Sequence, residues 1–141
     1  MNKKWLGILS ACLLTTNSFA NEPQCLPENL IKQAKFTLAF EAPYQENIWF
    51  LISDAITFRG QEWNIWFGTI LKDAKTPAEA IKQGQENFKL SPLSKPKSYT
   101  DKDKTICNYV LESMRYSVTA INPPEYSINS AHSFHSFKRG N

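Results

Sequence analysis

Two imidazoles stand three residues apart near the end of this 141-residue chain, in His132-Ser133-Phe134-His135-Ser136-Phe137, and they are its only histidines. On a helix that spacing puts both rings on one side, where they could share a metal ion. Imidazole is also a ligand for haem iron, and the interleaved Phe134 and Phe137 suit a porphyrin face. Two ligands this close do not reach both axial sides of one haem, so at most one would ligate unless two chains pair. The competing reading is a disordered tail whose histidines do nothing specific. Phenolate binds ferric haem as well, which adds Tyr109 and Tyr116 as candidates, with Tyr99 and Tyr126 behind them. Packing is the ordinary role of a tyrosine on a strand, and that reading stands beside the first.

Other chemistry is hard to assemble. A serine or cysteine nucleophile needs a base held within hydrogen-bond reach by a rigid scaffold, and a terminal tail is a poor one. The sequence has no Gly-rich phosphate loop, no His-Glu-x-x-His and no run of carboxylates at metal-ligand spacing. Asp54 and Glu62 flank a central hairpin, where solvated carboxylates near turns are the simpler explanation than an acid–base pair. The expectation is a protein that is not an enzyme and holds no structural metal.

The first twenty residues read as a leader. Lys3 and Lys4 form a basic start, Trp5 to Leu14 an apolar run of ten, and Ser18-Phe19-Ala20 a small-residue cleavage site. That run is half of the ~20 residues a bilayer span requires, and no later stretch is as long, so no transmembrane segment is expected. Cys12 admits a second reading, because Leu9-Ser10-Ala11-Cys12 resembles a lipobox; Leu13 and Leu14 continue the apolar run past it. Cleavage after Ala20 leaves 121 residues, enough for one domain with one core. It removes two lysines, so 16 basic residues against 13 acidic become 14 against 13, and a net charge of +3 becomes +1. A near-neutral chain lacks the electrostatic footprint of a nucleic-acid binder. An exported chain carries its two remaining cysteines, Cys25 and Cys107, into an oxidising compartment, where a disulfide between them is expected.

These residues must be positioned by a small set of elements. Pro27 opens a short helix reaching about Ala34, with Leu30, Ile31 and Ala34 on its buried side. Phe36, Leu38 and Phe40 alternate with polar neighbours, the period of a half-buried strand, although a continued helix competes for that stretch. Ile48–Ile52, Ala55–Phe58 and Trp63–Leu71 are dense in aromatic and β-branched residues, predicting two or three strands joined by tight turns at Asp54 and Gly60. Trp63, Ile65, Phe67 and Thr69 share one face of the last strand, and Asn64, Trp66 and Gly68 the other. Either the sheet is covered on both sides or one aromatic face, with Trp49, Trp63 and Trp66, is open for binding. Thr76-Pro77-Ala78-Glu79 is a capping box with proline at the first helical position, and predicts a helix to about Lys89. Residues 91–104 read as a polar loop. A second hairpin runs from Ile106 to Ile121 around Glu112-Ser113 and ends at Asn122-Pro123-Pro124.

Taken together, the Trp63-Asn64-x-Trp66 strand, the Thr76-to-Ala80 cap, Cys107-x-Tyr109 and Asn122-Pro123-Pro124 resemble the hemin-binding protein family of Legionella across residues 25–125. The resemblance implies an exported protein that promotes hemin binding or acquisition, with haem as the group bound. Its motifs are structural, so it assigns no ligating residue, and the histidine segment lies outside it. The expected architecture is one α+β domain over 21–125: a mostly antiparallel sheet of about five strands, one capped helix packed on it and a short N-terminal helix. A Ser/His-rich tail follows over 126–141. A porphyrin would need an apolar cleft between sheet and helix. The alternative function is an exported interaction module that uses an aromatic sheet face on another exported or envelope protein. Final location is open between periplasm, outer-membrane surface and secretion.

Overall fold

The computed structural model describes residues 24–110 and 115–127. The leader at 1–20, Cys12, the Glu112-Ser113 turn, His132 and His135 lie outside those residues. What is described is an α+β fold in which one antiparallel sheet carries two helices. The elements are α1 (Glu28–Ile31), β1 (Phe36–Glu41), β2 (Ile48–Ser53), β3 (Ile56–Phe58), β4 (Gln61–Ile70), α2 (Pro77–Leu90), β5 (Lys97–Asp101), β6 (Lys104–Asn108) and β7 (Ser117–Asn122). Strands run in the order β1-β2-β4-β7-β6-β5, with β3 also paired to β4.

Seven strands replace the expected five, and two local effects account for the difference. The chain does not reverse at Asp54. Ile52 pairs with Trp66 and Ile56 with Trp63, so β2 and β3 lie along the same side of β4, interrupted by one extra residue. That is a bulge, and its missing ladder bond is replaced by the Ser53 hydroxyl, which accepts from the Ile65 N–H at 2.8 Å. Only the Arg59-Gly60 turn reverses the chain here. Both residues have positive φ, 50° and 74°, the type I′ geometry that matches strand twist. The second effect is β5, which lies in the stretch read as a polar loop. It is an exposed edge strand joined to β6 by a two-residue turn at Lys102-Asp103, so no apolar alternation announces it.

Both helices lie on one face. The α2 N-terminus carries the capping box in full: Thr76 Oγ1 accepts from Glu79 N, and the Glu79 carboxylate accepts from Thr76 N. At its other end Lys32 Nζ donates to the carbonyls of Phe88 (2.9 Å) and Ser91, supplying charge where the helix dipole is negative. The Gln85 amide joins α2 to the sheet edge, accepting from Phe36 N and donating to Ala34 O, both at 3.0 Å. Beneath the helix Phe36, Phe67 and Phe88 form a ring cluster with centroids 5.0 to 5.9 Å apart.

Gly84 sets how close α2 comes. A Cβ there would stand 2.3 Å from Leu51 Cδ2 and 3.0 Å from Cδ1, and Leu51 is fully buried in β2. The helix rests directly on the sheet, which leaves no room between them for a porphyrin. Gly84→Ala is therefore expected to lower stability, the overpacking cost of about 1–3 kcal/mol exceeding the ~1 kcal/mol gained in helix propensity. Thermal unfolding reads this as a melting temperature lower by several degrees. An unchanged or higher value would show that α2 does not press on Leu51.

Candidate functional site

The tether at the N-terminus builds a concave surface. Cys25 and Cys107 are disulfide-bonded, closing a loop of 82 residues between a non-helical lead-in and β6. In the chain-entropy view such a loop contributes about 4.5 kcal/mol. Leu26, one residue on, is buried, and its carbonyl accepts from the Tyr109 hydroxyl at 2.6 Å. The lead-in is thus clamped against β6, while the β3–β4 hairpin projects beside it. Between them lies a solvent-open groove of about 550 Å³, lined by Gln24, Cys25, Pro27, Phe58, Arg59, Pro96 and Ser98. That volume falls in the range of small-molecule sites.

The chemistry of the groove is plain. Phe58, Pro27 and Pro96 offer flat apolar surfaces. Arg59 is exposed and carries its guanidinium 5.2 Å from the centroid of the Phe58 ring. Its backbone holds a left-handed conformation that an arginine adopts at a cost, so the turn presents the cation outward where asparagine would be the easier residue. A planar apolar ligand with an anionic edge fits this arrangement: face against ring and prolines, anion on Arg59.

Most residues singled out from the sequence are elsewhere. Trp63 and Trp66 are 1% and 2% exposed and Trp49 is 4% exposed, so none of them forms an open aromatic face. The sheet is covered instead. Trp49 and Trp63 belong to the helix-side core, and their Nε1 donors have no acceptor among the described residues. Leaving a donor unpaired costs about 1–3 kcal/mol, so both indoles are there for bulk. Trp66 lies on the opposite face and donates from Nε1 to the Glu125 carbonyl at 2.8 Å.

The tyrosines are also committed. Tyr109 is buried, and burial pushes its hydroxyl well above the ordinary phenol range. Tyr116 donates to the Pro92 carbonyl at 2.5 Å, and burial raises it too. Tyr99 and Tyr126 are more exposed. Burial and then Asp101 raise Tyr99; burial, then Asp54 and Glu62, raise Tyr126. In each case burial favours the protonated phenol. Asp54 accepts from the Thr37 hydroxyl at 2.9 Å, a surface role at the bulge. Among the described residues no three His, Cys, Asp or Glu side chains converge as a metal site, and no helix is long and apolar enough to cross a membrane.

The groove residues were the ones sequence reasoning missed. Arg59-Gly60 was legible as a turn, but nothing local says that Cys25 and Pro27 come to lie beneath it. No known protein family, curated protein or solved structure matches the chain.

Tyr109 gives a pH test of the clamp. Its folded-state pKa lies above the unfolded value of about 10, so its contribution to stability is complete below that pH and is lost as pH rises beyond it. Denaturant midpoints should fall above about pH 10 in the native protein. Tyr109→Phe should lose about 1–2 kcal/mol at pH 7, with the Leu26 carbonyl left unpaired, and show a shallower alkaline decline. Parallel pH profiles for the two would mean that the phenol titrates freely.

Proposed function

We propose that this is a non-enzymatic binding protein for hemin, exported from the cytoplasm, and that the porphyrin seats in the groove beside the Cys25–Cys107 disulfide. The supporting observation is an exposed cation beside apolar side chains in one groove: Arg59 over Phe58, with Pro27 and Pro96 in the same lining. Hemin matches it in shape and charge, a wide apolar disc with carboxylates along one edge. The disulfide is consistent with an oxidising compartment. The likeness to the Legionella hemin-binding family points to the same ligand and to a role in hemin acquisition.

In this reading the ring and its propionates carry the affinity. Among the described residues the lining contains no imidazole or phenol, and the Cys25 sulfur is already bonded, so those residues supply no strong iron ligand. Arg59 orients the disc by its carboxylate edge, and Phe58 stacks on its face. A two-residue hairpin turn holds both between paired strands, which limits the ordering cost on binding.

An absorbance titration of the full chain with hemin tests this. Saturation near one equivalent is expected, with Arg59→Glu weakening the apparent Kd by at least about tenfold, the loss of about 1.4 kcal/mol that a charge-assisted contact readily supplies. His132→Ala/His135→Ala should leave it unchanged. Loss of binding in the histidine pair, with Arg59→Glu unaffected, would move the site out of the groove. No saturable change in the native protein would sink hemin binding altogether.

A further inference from the structure

The turn between β1 and β2 carries the most exposed large aromatic among the described residues. Tyr44 is 102% exposed. The Ala42 carbonyl accepts from Gln45 N at 3.3 Å, with Pro43 and Tyr44 at the two central positions of the turn. Tyr44 has a φ of 64°, the left-handed value that glycine favours at the second of them. A bulky ring there opposes the backbone's preference, and the core gains nothing from it. The turn is held on both sides. Ala42 N donates to Ile48 O at 2.7 Å, Asn47 N to the Glu41 carboxylate at 2.9 Å, and Leu71 N to Asn47 O at 2.8 Å. A ring presented in this way has the properties of an interface anchor, because tyrosine buries a large area at little cost in conformational entropy.

The charge around the ring has one sign on its own strands. From Phe36 to Phe58 the chain holds no lysine or arginine, and Glu46, two residues beyond Tyr44, is exposed. The groove beside the disulfide is the complement. It is apolar at Phe58, Pro27 and Pro96, its one charged lining residue is Arg59, and a volume of about 550 Å³ admits a ring with the turn that bears it. A single copy cannot join the two. The turn sits where Ile48 pairs with Ile70, and the hairpin bearing Phe58 and Arg59 begins where Phe58 pairs with Gln61. Those are the two ends of the ten-residue strand β4, roughly 30 Å apart at about 3.3 Å per residue.

We infer that the groove of one copy receives the Pro43-Tyr44 turn of a second copy, with the Tyr44 ring against Phe58 and the prolines and the Glu46 carboxylate on Arg59. Such a contact is head-to-tail: each copy gives its turn to one neighbour and takes a turn from another. One aromatic buries about 150–250 Å², so the contact falls well below the size of stable interfaces and the association is weak, with a Kd of about 0.1–1 mM. A groove that holds a neighbour's turn is closed to hemin, and the inference stands whether or not hemin is a ligand.

Sedimentation velocity on the purified protein up to about 1 mM tests it, as a weight-average mass that rises with concentration. Tyr44→Gly relieves the backbone, so it should keep its melting temperature while weakening association at least about tenfold. Arg59→Glu should weaken it as much, and Glu46→Arg combined with Arg59→Glu in one chain should restore it. The decisive arm mixes the Tyr44→Gly protein, which keeps its groove, with the Arg59→Glu protein, which keeps its anchor. One-to-one dimers are expected from the mixture, and nothing larger. A native protein that stays monomeric at about 1 mM overturns the inference. Association that survives Tyr44→Gly or Arg59→Glu overturns it too, by placing the contact on another surface. So does a mixture that fails to combine although the native protein associates.

Discussion

A strand with large aromatics on both sides cannot stand at the edge of a sheet or look out on water. β4 is such a strand, with Trp63, Ile65 and Phe67 on one face and Trp66 on the other, and seven consecutive residues from Trp63 to Thr69 are buried. It must lie in the middle, and it does, with β2 and β3 on one side and β7 on the other. β2 shares the condition, all six of its residues being buried. The rest of the molecule can be understood as the means of covering these two strands. α2 covers one face at a distance set by Gly84. The strap through Glu125 begins to cover the other, with its backbone satisfying the buried Asn64 amide and the Trp66 N–H in one place.

Once the centre is fixed, the edges inherit the polar residues. β5 is exposed along most of its length and carries Lys97 and Asp101, and β1 is open to solvent at Thr37 and Leu38, beside its bulge. Charged and short edge strands discourage pairing with a second chain. The N-terminal lead-in cannot be held by the sheet, since it belongs to no strand, so it is held covalently at Cys25 and by the Tyr109 hydroxyl on Leu26. The groove is a by-product of that tether. A chain lying across the ends of β5 and β6, next to a projecting hairpin, leaves a hollow between them.

The elements that were legible in the sequence are those whose signal is local. Thr76-Pro77-Ala78-Glu79 specifies a helix start by four side chains in a row, and the structure uses all of its hydrogen bonds. Arg59-Gly60 specifies a reversal by backbone chirality. The spacing of Phe36, Leu38 and Phe40 pointed to β1 against the helical alternative, but a bulge between Phe36 and Leu38 splits the three, Phe36 entering the helix-side core, Phe40 packing on the other cluster and Leu38 staying exposed. Asp54 misled because a turn-forming residue also suits a bulge, and only the register of β2 and β3 against β4 separates the two. β5 was missed because an edge strand needs no apolar face. The groove was illegible for a further reason: its residues come from positions 24–27, 58–59 and 96–98, and their meeting depends on strand order.

The tyrosines show why residue type alone is a poor guide to a site. A phenol is a plausible iron ligand only where it can lose its proton and where a ligand can reach it. Tyr109 meets neither condition. Its ring fills the core beneath the disulfide, and its hydroxyl is spent on the one carbonyl that anchors the lead-in. The same burial that makes it useful to the fold raises its pKa and takes it out of coordination chemistry. Arg59 is the converse. It stabilises nothing in the core, and its backbone sits where a side chain is disfavoured, yet its charge is held in the open beside the hollow that the tether creates. A group that costs the fold something and stays exposed is the better candidate for binding than one the fold has already used.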